Sequence, residues 1–426
     1  MCEKRWSEAD IAPVLGRFLR YVQIDTESSP RAPRTQCPST DCQKDLAQLL
    51  AKDLREVGAE QVRQDEYGYV YGMIRANGDK DVPKIGLIAH MDTAPDVSGR
   101  GVRPRVVENY PGGDILLNEA AGITMLRKEF PQLDTFLGQD LVVTDGTTLL
   151  GADDKAGAAE ILQMAQVLRD HPEIPHGEIW IAFTPDEEIG RGVDHFDTAG
   201  FPVDFAYTVD GGALGTYSYE TFNAYSAAVT ISGRSVHPGS AKGRMRSALH
   251  IGMEFDRMLP VEQRPAYTAE REGFYHLSSF QGDVEKAVLS YAVRDHDAGR
   301  MAEKLAFLER ISRYLNDRYG AGTVELKVEE QYRNMAEKIA PMFSIVELIE
   351  KSMERQGISP QLIVTRGGTD GSRLSFMGIP CPNICTGVSN GHSRYEFVSV
   401  QSMKKITALL IEIVSGFYTN YEEMDL

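Results

Sequence analysis

The stretch Ile85-Gly86-Leu87-Ile88-Ala89-His90-Met91-Asp92 decides how this chain can fold, because an apolar run ends there in a histidine and an aspartate. An unbroken apolar run of this kind is typical of a strand that is buried on both faces of a sheet. Similar apolar runs precede acidic residues further along: 179–183 before Glu187-Glu188, 205–209 before Asp210, and 149–152 before Asp153-Asp154. Parallel strands end at one edge of a sheet, where ligands bind. We therefore expect these charged side chains to line one cleft.

Helical patterns alternate with the apolar strands. One helix is predicted over 156–168, another over 46–57, and a first one from Ser7 to Val22. A strand is also predicted over 70–74. This alternation predicts an α/β fold with a mostly parallel sheet and helices on both faces.

The pattern changes after Asp210. Strands are predicted over 224–231, 287–293 and 323–328, and helices over 246–258 and 298–314, which together suit an α+β sandwich. The α/β pattern returns near Pro341, with a helix over 345–353, a strand over 362–365 and a final helix over 403–417. We predict a first domain of residues 1–222 and 337–426, split by an inserted domain of residues 223–336.

Composition excludes several classes of protein. The chain has 426 residues, of which 42% are hydrophobic and 25% charged, and its net charge is −17. This is typical of a globular protein with two or three domains, and the negative charge argues against nucleic-acid binding. No apolar run has the length of a membrane span or a signal peptide, and the five cysteines have irregular spacing. We expect no membrane contact, no disulfide framework and a cytoplasmic location.

The charged residues at the strand ends have the chemistry of a metal site. Imidazole and carboxylate ligands without cysteine suit zinc, and they also accept manganese or cobalt. A hydrolase with two metal ions needs a bridging carboxylate, further ligands and a separate carboxylate that acts as a base. Glu188 could bind metal while the adjacent Glu187 takes the proton, and Asp92 could orient the His90 imidazole. The sequence therefore predicts a metallohydrolase.

Several motifs together resemble one family, the co-catalytic zinc aminopeptidases of the M20 group. The resemblance covers nearly the whole chain, and the motifs are specific only in combination. They are His90-Met91-Asp92-Thr93-Ala94-Pro95-Asp96, Gly151-Ala152-Asp153-Asp154-Lys155-Ala156-Gly157, Pro185-Asp186-Glu187-Glu188-Ile189-Gly190, Thr208-Val209-Asp210-Gly211-Gly212, Val236-His237-Pro238-Gly239 and Arg366-Gly367-Gly368-Thr369-Asp370-Gly371.

The resemblance assigns roles to the residues of the cleft. It implies two Zn²⁺ ions bound by His90, Asp153, Glu188, Asp210 and His392, with Asp153 bridging them and Asp154 as the fallback for that position. Asp92 and Glu187 are then the catalytic residues. His392 is identified by the H-x-x-x-E spacing to Glu396, and Tyr395 stands where relatives carry a second histidine.

The resemblance also implies how substrate is bound. A histidine at the place of His237 stabilises the oxyanion in the related enzymes. Arg294 and Arg366 are candidates for binding the substrate carboxylate, and Asn334 is a weaker one. In the family the inserted domain closes over the catalytic domain and in several members forms dimers, so a homodimer through residues 223–336 is one assembly that the resemblance allows.

The expected activity is release of the N-terminal residue from short peptides, above all tripeptides. The first alternative is another M20 reaction, that of a dipeptidase, a carboxypeptidase or an N-acyl amino acid deacylase. The second is a non-catalytic metal-binding or peptide-binding relative. A relative without catalysis would have no use for Asp92 and Glu187, and both are present here.

Overall fold

The structure is a computed structural model that describes residues 6–424. Residues 1–5, on which the expectation about a signal peptide partly rests, lie outside this range. So do residues 425–426, at the end of the domain predicted to comprise 1–222 and 337–426. The described chain forms two compact units. The first contains the described residues up to Tyr219, then Lys338–Ile363, and those from Thr369 onward; the second contains Glu220–Glu337 and Val364–Gly368.

The α-helices of the described residues are α1 (Glu8–Ile11), α2 (Val14–Tyr21), α3 (Gln43–Glu56), α4 (Ala152–Asp170), α5 (Ala248–Arg257), α6 (Ala298–Tyr319), α7 (Ala336–Ile339), α8 (Ser344–Arg355), α9 (Asp370–Phe376) and α10 (Val400–Asn420). The helix predicted from Ser7 is two helices, α1 and α2, because Pro13 has no N–H to donate and interrupts the hydrogen-bond pattern. None of the helices in residues 6–424 is both long and apolar enough to cross a bilayer.

The strands are β1 (Glu60–Gln64), β2 (Val70–Ile74), β3 (Ile85–His90), β4 (Arg105–Val107), β5 (Ile115–Asn118), β6 (Ile123–Met125), β7 (Leu141–Val143), β8 (Ile179–Thr184), β9 (Phe205–Val209), β10 (Thr216–Ser218), β11 (Asn223–Ser232), β12 (Phe274–Gly282), β13 (Lys286–Asp295), β14 (Val324–Tyr332), β15 (Gln361–Leu362), β16 (Asn383–Ile384), β17 (Val388–Ser389) and β18 (Phe397–Ser399).

The first unit is built on an eight-stranded sheet in the order β1-β2-β8-β3-β9-β16-β10-β15. Its middle strands, β8-β3-β9-β16, are parallel, whereas β2 and β10 join them antiparallel. The sheet is therefore mixed, with the predicted parallel part at its centre. Strands β3 and β8 are buried along their whole length, which explains why their sequences are apolar at every position rather than at alternate ones.

Helices cover both faces of this sheet. Ala206 lies in an apolar cluster with Leu374 of α9. Its neighbour Phe205 points to the opposite face, where its ring contacts Phe417 of α10 with centroids 5.2 Å apart. The predicted fold class, an α/β sheet with helices on both faces, is confirmed.

A smaller sheet, β17-β18-β7-β4, also belongs to the first unit. Strand β18 lies between β17 and β7, so residues near the C-terminus pair with Leu141–Val143. Its apolar cluster includes Tyr110, Leu133 and Phe397. The sequence did not predict this sheet, because its strands are only two or three residues long.

The second unit is a four-stranded antiparallel sheet, β12-β13-β11-β14, packed against α5 and α6. Alternate residues of β13 are buried, including Leu289 and Val293, which belong to the core shared with the two helices. Strand β12 was not predicted. The predicted insert, 223–336, stays a prediction as a domain; the compact unit differs from it chiefly by including Val364–Gly368.

Candidate metal centre

Three neighbouring parallel strands bring their acidic or histidine residues to one edge of the central sheet. His90 is the last residue of β3, Glu187 and Glu188 follow β8, and Asp210 follows β9. His90 pairs with Thr184 at the end of β8, so the ends of these two strands coincide. This register brings the side chains at the ends of the two strands to the same edge of the sheet, as expected for residues that line one site.

The five predicted ligands lie together. His90 Nε2 is 3.1 Å from Asp153 Oδ1 and 3.6 Å from Asp210 Oδ1. His392 Nε2 is 2.9 Å from Glu188 Oε2 and 3.6 Å from Asp153 Oδ2. The Asp153 carboxylate thus faces a histidine with each of its oxygens, which is the place a bridging ligand requires.

Asp153 and Asp154 have different surroundings. Asp154 is fully buried, and its Oδ2 accepts a hydrogen bond from the backbone N–H of His90 at 3.2 Å. Two groups of oxygen and nitrogen atoms are close enough to hold an ion: His90 with Asp153 and Glu188, and His90 with Asp154 and Asp210. Both aspartates therefore border the site, but only Asp153 approaches both imidazoles.

Asp92 connects His90 to the loop of the two glutamates. Its carboxylate accepts the backbone N–H groups of Glu187 and Glu188 at 2.9 and 3.2 Å. His90 Nδ1 lies 3.0 Å from the Asp92 carbonyl oxygen and 3.4 Å from Oδ1. Asp92 thus contacts the imidazole, and it also fixes the backbone that carries Glu187. Its catalytic role stays a prediction.

The site brings several partly buried carboxylates together. Burial raises the pKa of Glu187 well above its usual range and that of Glu188 to about 7, although a hydrogen bond from His392 opposes the second shift. Burial also raises the pKa of Asp210. Hydrogen bonds to Asp153 and Glu188 raise the pKa of His392 to about 11. Crowded carboxylates that gather protons in this way are suited to a divalent cation, which removes their mutual repulsion.

The donor set fits a metal ion. Glu188 Oε1 is buried and has no hydrogen-bond partner among residues 6–424, so this oxygen is free to bind a cation. The ligand atoms are imidazole nitrogens and carboxylate oxygens only. Such donors suit zinc, manganese or cobalt.

Sequence reasoning missed Asp186, Ser39 and Gln43, whose side chains anchor the Glu187 loop by hydrogen bonds. Asp186 is buried with φ of +57°, and its carboxylate accepts hydrogen bonds from the backbone N–H and hydroxyl of Ser39 and from Gln43. The predicted loop over 28–40 contributes Ser39. The only signal in the sequence was the acidic run at 186–188, and this run does not indicate which of its side chains is buried.

The four predicted substrate-binding residues all belong to the second unit. His237 is exposed, and its Nδ1 accepts the N–H of Gly239 at 3.1 Å. Arg294 donates to the carbonyls of Tyr225 and Val293.

Arg366 and Asn334 are held by hydrogen bonds within that unit. Arg366 donates to the carbonyls of Glu270 and Glu272 and to the Thr268 hydroxyl. The Asn334 amide accepts from the backbone N–H groups of 221 and 336 and donates to the carbonyl of 296. These contacts give Asn334 a structural task, and its role in substrate binding stays a prediction.

Comparison with known proteins places the chain in a family. Residues 144–416 match the profile of peptidase family M20/M25/M40. The chain belongs to this family. A peptidase T from Caldanaerobacter subterraneus is 50% identical over 404 residues, 95% of this chain and 98% of the relative. The motifs quoted above predict a likeness to peptidase T, and two relatives of that name, 50% and 49% identical over 404 residues, confirm it.

Solved structures of the family share the fold. A tripeptidase from Staphylococcus aureus superposes with a TM-score of 0.76 at 22% identity, covering 97% of this chain and 99% of its own. A dinuclear metal-binding M20 peptidase from Bacillus subtilis gives 0.64 at 14% identity, covering 97% and 99%. The M20 fold thus extends over the chain.

Proposed function

We propose that this chain is a metallo-aminopeptidase that releases the N-terminal residue from short peptides, above all tripeptides. The observation that carries the proposal is the pair Glu187-Glu188, in which one carboxylate joins a cluster of metal-binding side chains and the next is held beside it by Asp92. The close relatives named peptidase T and the fold neighbour named a tripeptidase support the same activity.

We propose further that two Zn²⁺ ions occupy the cluster, with Mn²⁺ or Co²⁺ as substitutes. Asp153 would be shared, His90 and Asp210 would complete one coordination sphere, and Glu188 and His392 the other. Two bound ions would supply the chemistry that lowers the pKa of the attacking water and polarises the scissile carbonyl. The dinuclear site named for the Bacillus subtilis neighbour supports this count.

Glu187 is the proposed general base. Burial raises the pKa of its carboxyl, which suits a group that takes a proton from the attacking water and returns it to the leaving amine. The two backbone hydrogen bonds to Asp92 fix the loop, so that the Glu187 carboxylate keeps one position while the proton moves. Asp92 also holds the His90 ring through Nδ1, which leaves Nε2 to bind metal.

Substrate contacts are assigned to the second unit. His237 would stabilise the oxyanion of the tetrahedral intermediate, and Arg294 or Arg366 would bind the substrate carboxylate. Asn334 is retained as the weaker candidate. A cytoplasmic location and a homodimer through the insert stay predictions.

Glu187→Gln tests the base directly, because the amide keeps the shape of the side chain but cannot accept the proton. We expect kcat for a tripeptide to fall by about 10²- to 10⁴-fold while the metal content stays at two ions. Glu347→Gln, an exposed position on α8, is the matched control and should keep full activity. Tripeptide turnover by Glu187→Gln close to that of the unaltered enzyme would contradict the proposal.

A peptide panel separates the alternatives within the family. A free tripeptide is compared with its N-acetylated and C-amidated forms. Loss of turnover on acetylation alone supports an aminopeptidase, whereas a preference for the acetylated form indicates a deacylase. Faster turnover of dipeptides, or release of the C-terminal residue, would favour a dipeptidase or a carboxypeptidase.

A further inference from the structure

Glu396 is a buried carboxylate that joins two loops of the proposed metal centre. It follows the His392 loop and is 1% exposed. Its Oε2 accepts the backbone N–H groups of Leu150 and Gly151 at 2.9 and 2.8 Å, and its Oε1 accepts that of Asp153 at 2.9 Å. The three donors belong to the loop that carries Asp153, which is counted in α4 although its backbone angles are not helical. Asp153 is 243 residues away from Glu396 in sequence.

Hydrogen bonds close the His392 loop on itself. The Asn390 side chain donates to the carbonyl of Tyr395 at 3.0 Å, and the Ser393 hydroxyl donates to the carbonyl of Asn390 at 2.9 Å. Asn390 and His392 both have φ of +59°, a left-handed conformation that few residues adopt without such support. The backbone from Asn390 to Glu396 is thereby fixed, so the Glu396 carboxylate and the His392 imidazole keep a set separation.

The Asp153 loop is oriented by the same carboxylate. Gly151 has φ of +77°, which directs its N–H and that of Asp153 toward Glu396. Three N–H donors on two oxygens match the acceptor capacity of a carboxyl group, whereas an amide in its place would turn an NH₂ group toward at least one of them. The Asp153 side chain then faces His392 on one side and His90 on the other.

We propose that Glu396 is a positioning residue of the metal centre, whose carboxylate sets the separation of Asp153 and His392 and with it the affinity for the ion that these two residues bind. This inference rests on the proposed function only in taking Asp153 and His392 as ligands.

Glu396→Gln tests the inference, because the amide presents an NH₂ group to at least one backbone N–H and so loses part of the attachment. Metal-free enzyme is titrated with Co²⁺ against a competing chelator, and the absorption spectrum of the bound ion is recorded. We expect binding at one of the two sites to weaken by about 10- to 100-fold and the Co²⁺ spectrum to change. Circular dichroism checks that the metal-free variants are folded.

Glu160→Gln is the matched control. Glu160 is fully buried on α4, and neither of its carboxylate oxygens has a hydrogen-bond partner in the described part of the chain. Glu160→Gln therefore makes the same chemical change at a similarly buried position as Glu396→Gln, but Glu160 does not hold a loop by hydrogen bonds. We expect Co²⁺ affinity and spectrum like those of the unaltered enzyme.

The possible outcomes separate this inference from the proposed function. Folded Glu396→Gln with unaltered Co²⁺ affinity and spectrum would overturn the role of Glu396, even if the enzyme cleaves tripeptides. An unaltered enzyme that binds two Co²⁺ ions without cleaving peptides would contradict the proposed function alone. Should Glu396→Gln fail to fold, Glu396→Asp, which keeps the charge but shortens the reach, carries the same test with the same two outcomes.

Discussion

At the scale of single residues, the two adjacent aspartates Asp153 and Asp154 show how position divides chemistry. Asp153 points its oxygens at two imidazoles, whereas one oxygen of Asp154 accepts a hydrogen bond from the backbone N–H of His90. Burial raises the pKa of Asp154 well above its usual range, because burial disfavours the charged form of the carboxyl group.

Asparagine substitutions should therefore have unequal effects at these positions. Asp153→Asn removes the shared carboxylate, and we expect Zn²⁺ affinity and kcat/KM to fall by more than about 100-fold, beyond the usual cost of losing a residue that only orients a ligand. Asp154→Asn keeps an oxygen for the His90 N–H and should retain most of both. Metal analysis and a tripeptide assay compare the two variants. A larger loss of affinity and activity in Asp154→Asn than in Asp153→Asn would assign the bridging role to Asp154.

His296 of the second unit gives a prediction about pH that is independent of the metal centre. Neither ring nitrogen has a hydrogen-bond partner within residues 6–424, and burial lowers the pKa of the imidazole to about 4. Between pH 4 and the usual histidine pKa near 6.5, His296 is protonated in the unfolded chain but neutral in the folded unit. Stability from this group is therefore complete above about pH 6.5 and decreases as the pH falls toward 4, by up to about 1.4 kcal/mol per pH unit.

His296→Phe should remove this part of the pH dependence, because phenylalanine keeps a ring against Phe222 without a titrating group. Unfolding midpoints of both proteins are compared at several pH values from 4.5 to 7.5. All other titrating groups are shared, so the difference isolates His296. Parallel pH profiles would show that His296 is not the cause.

At the scale of elements, α4 lies against β9 with almost no space between them. A Cβ on Gly157 would collide with the carbonyl oxygen of Val209, the residue before Asp210, and would lie 2.6 Å from Asp154 Oδ1. The glycine therefore lets the helix approach the strand closely, and this contact sets the distance between the Asp153 and Asp210 loops.

Gly157→Ala should destabilise the protein although alanine is the better helix former. The backbone atom it meets cannot move aside as a flexible side chain would, so we expect a loss of about 1–3 kcal/mol. Gly16→Ala in α2 is the matched control: nothing lies within 4 Å of its Cβ, and a gain of up to about 1 kcal/mol is expected. Urea unfolding compares the two; equal effects would refute the close approach of α4.

The elements also show what the sequence could tell. The three strands whose ends carry ligands were predicted almost to the residue, because burial on both faces makes them apolar throughout. Strand β12 was missed, since in it only Tyr275 is fully buried and the polar residues around it read as a loop. The contacts of Glu396 could not be predicted either. Its spacing to His392 was visible in the sequence, but its hydrogen-bond donors are backbone N–H groups, which every residue except proline has.

At the scale of the whole molecule, all five proposed ligands belong to the first unit, while the second unit has an apolar core of its own. A metal that binds only the folded first unit should stabilise that unit by about 2.7 kcal/mol at a hundredfold excess over Kd. Hydrogen exchange with and without chelator measures this for each segment. We expect chelation to speed exchange in β3, β8 and β9 and to leave β11 and β13 unchanged; equal changes in both units would contradict the assignment.

The division into units has a further consequence for the newly made chain. The second unit is almost contiguous, from Glu220 to Glu337, whereas the first needs Asn383 to pair with β9 and Glu396 to hold the Asp153 loop. During synthesis from the N-terminus, the inner unit can reach a stable core while the outer one still waits for its last strands. The proteolytic centre is therefore assembled only when nearly the entire polypeptide has left the ribosome, so incomplete chains carry no active peptidase.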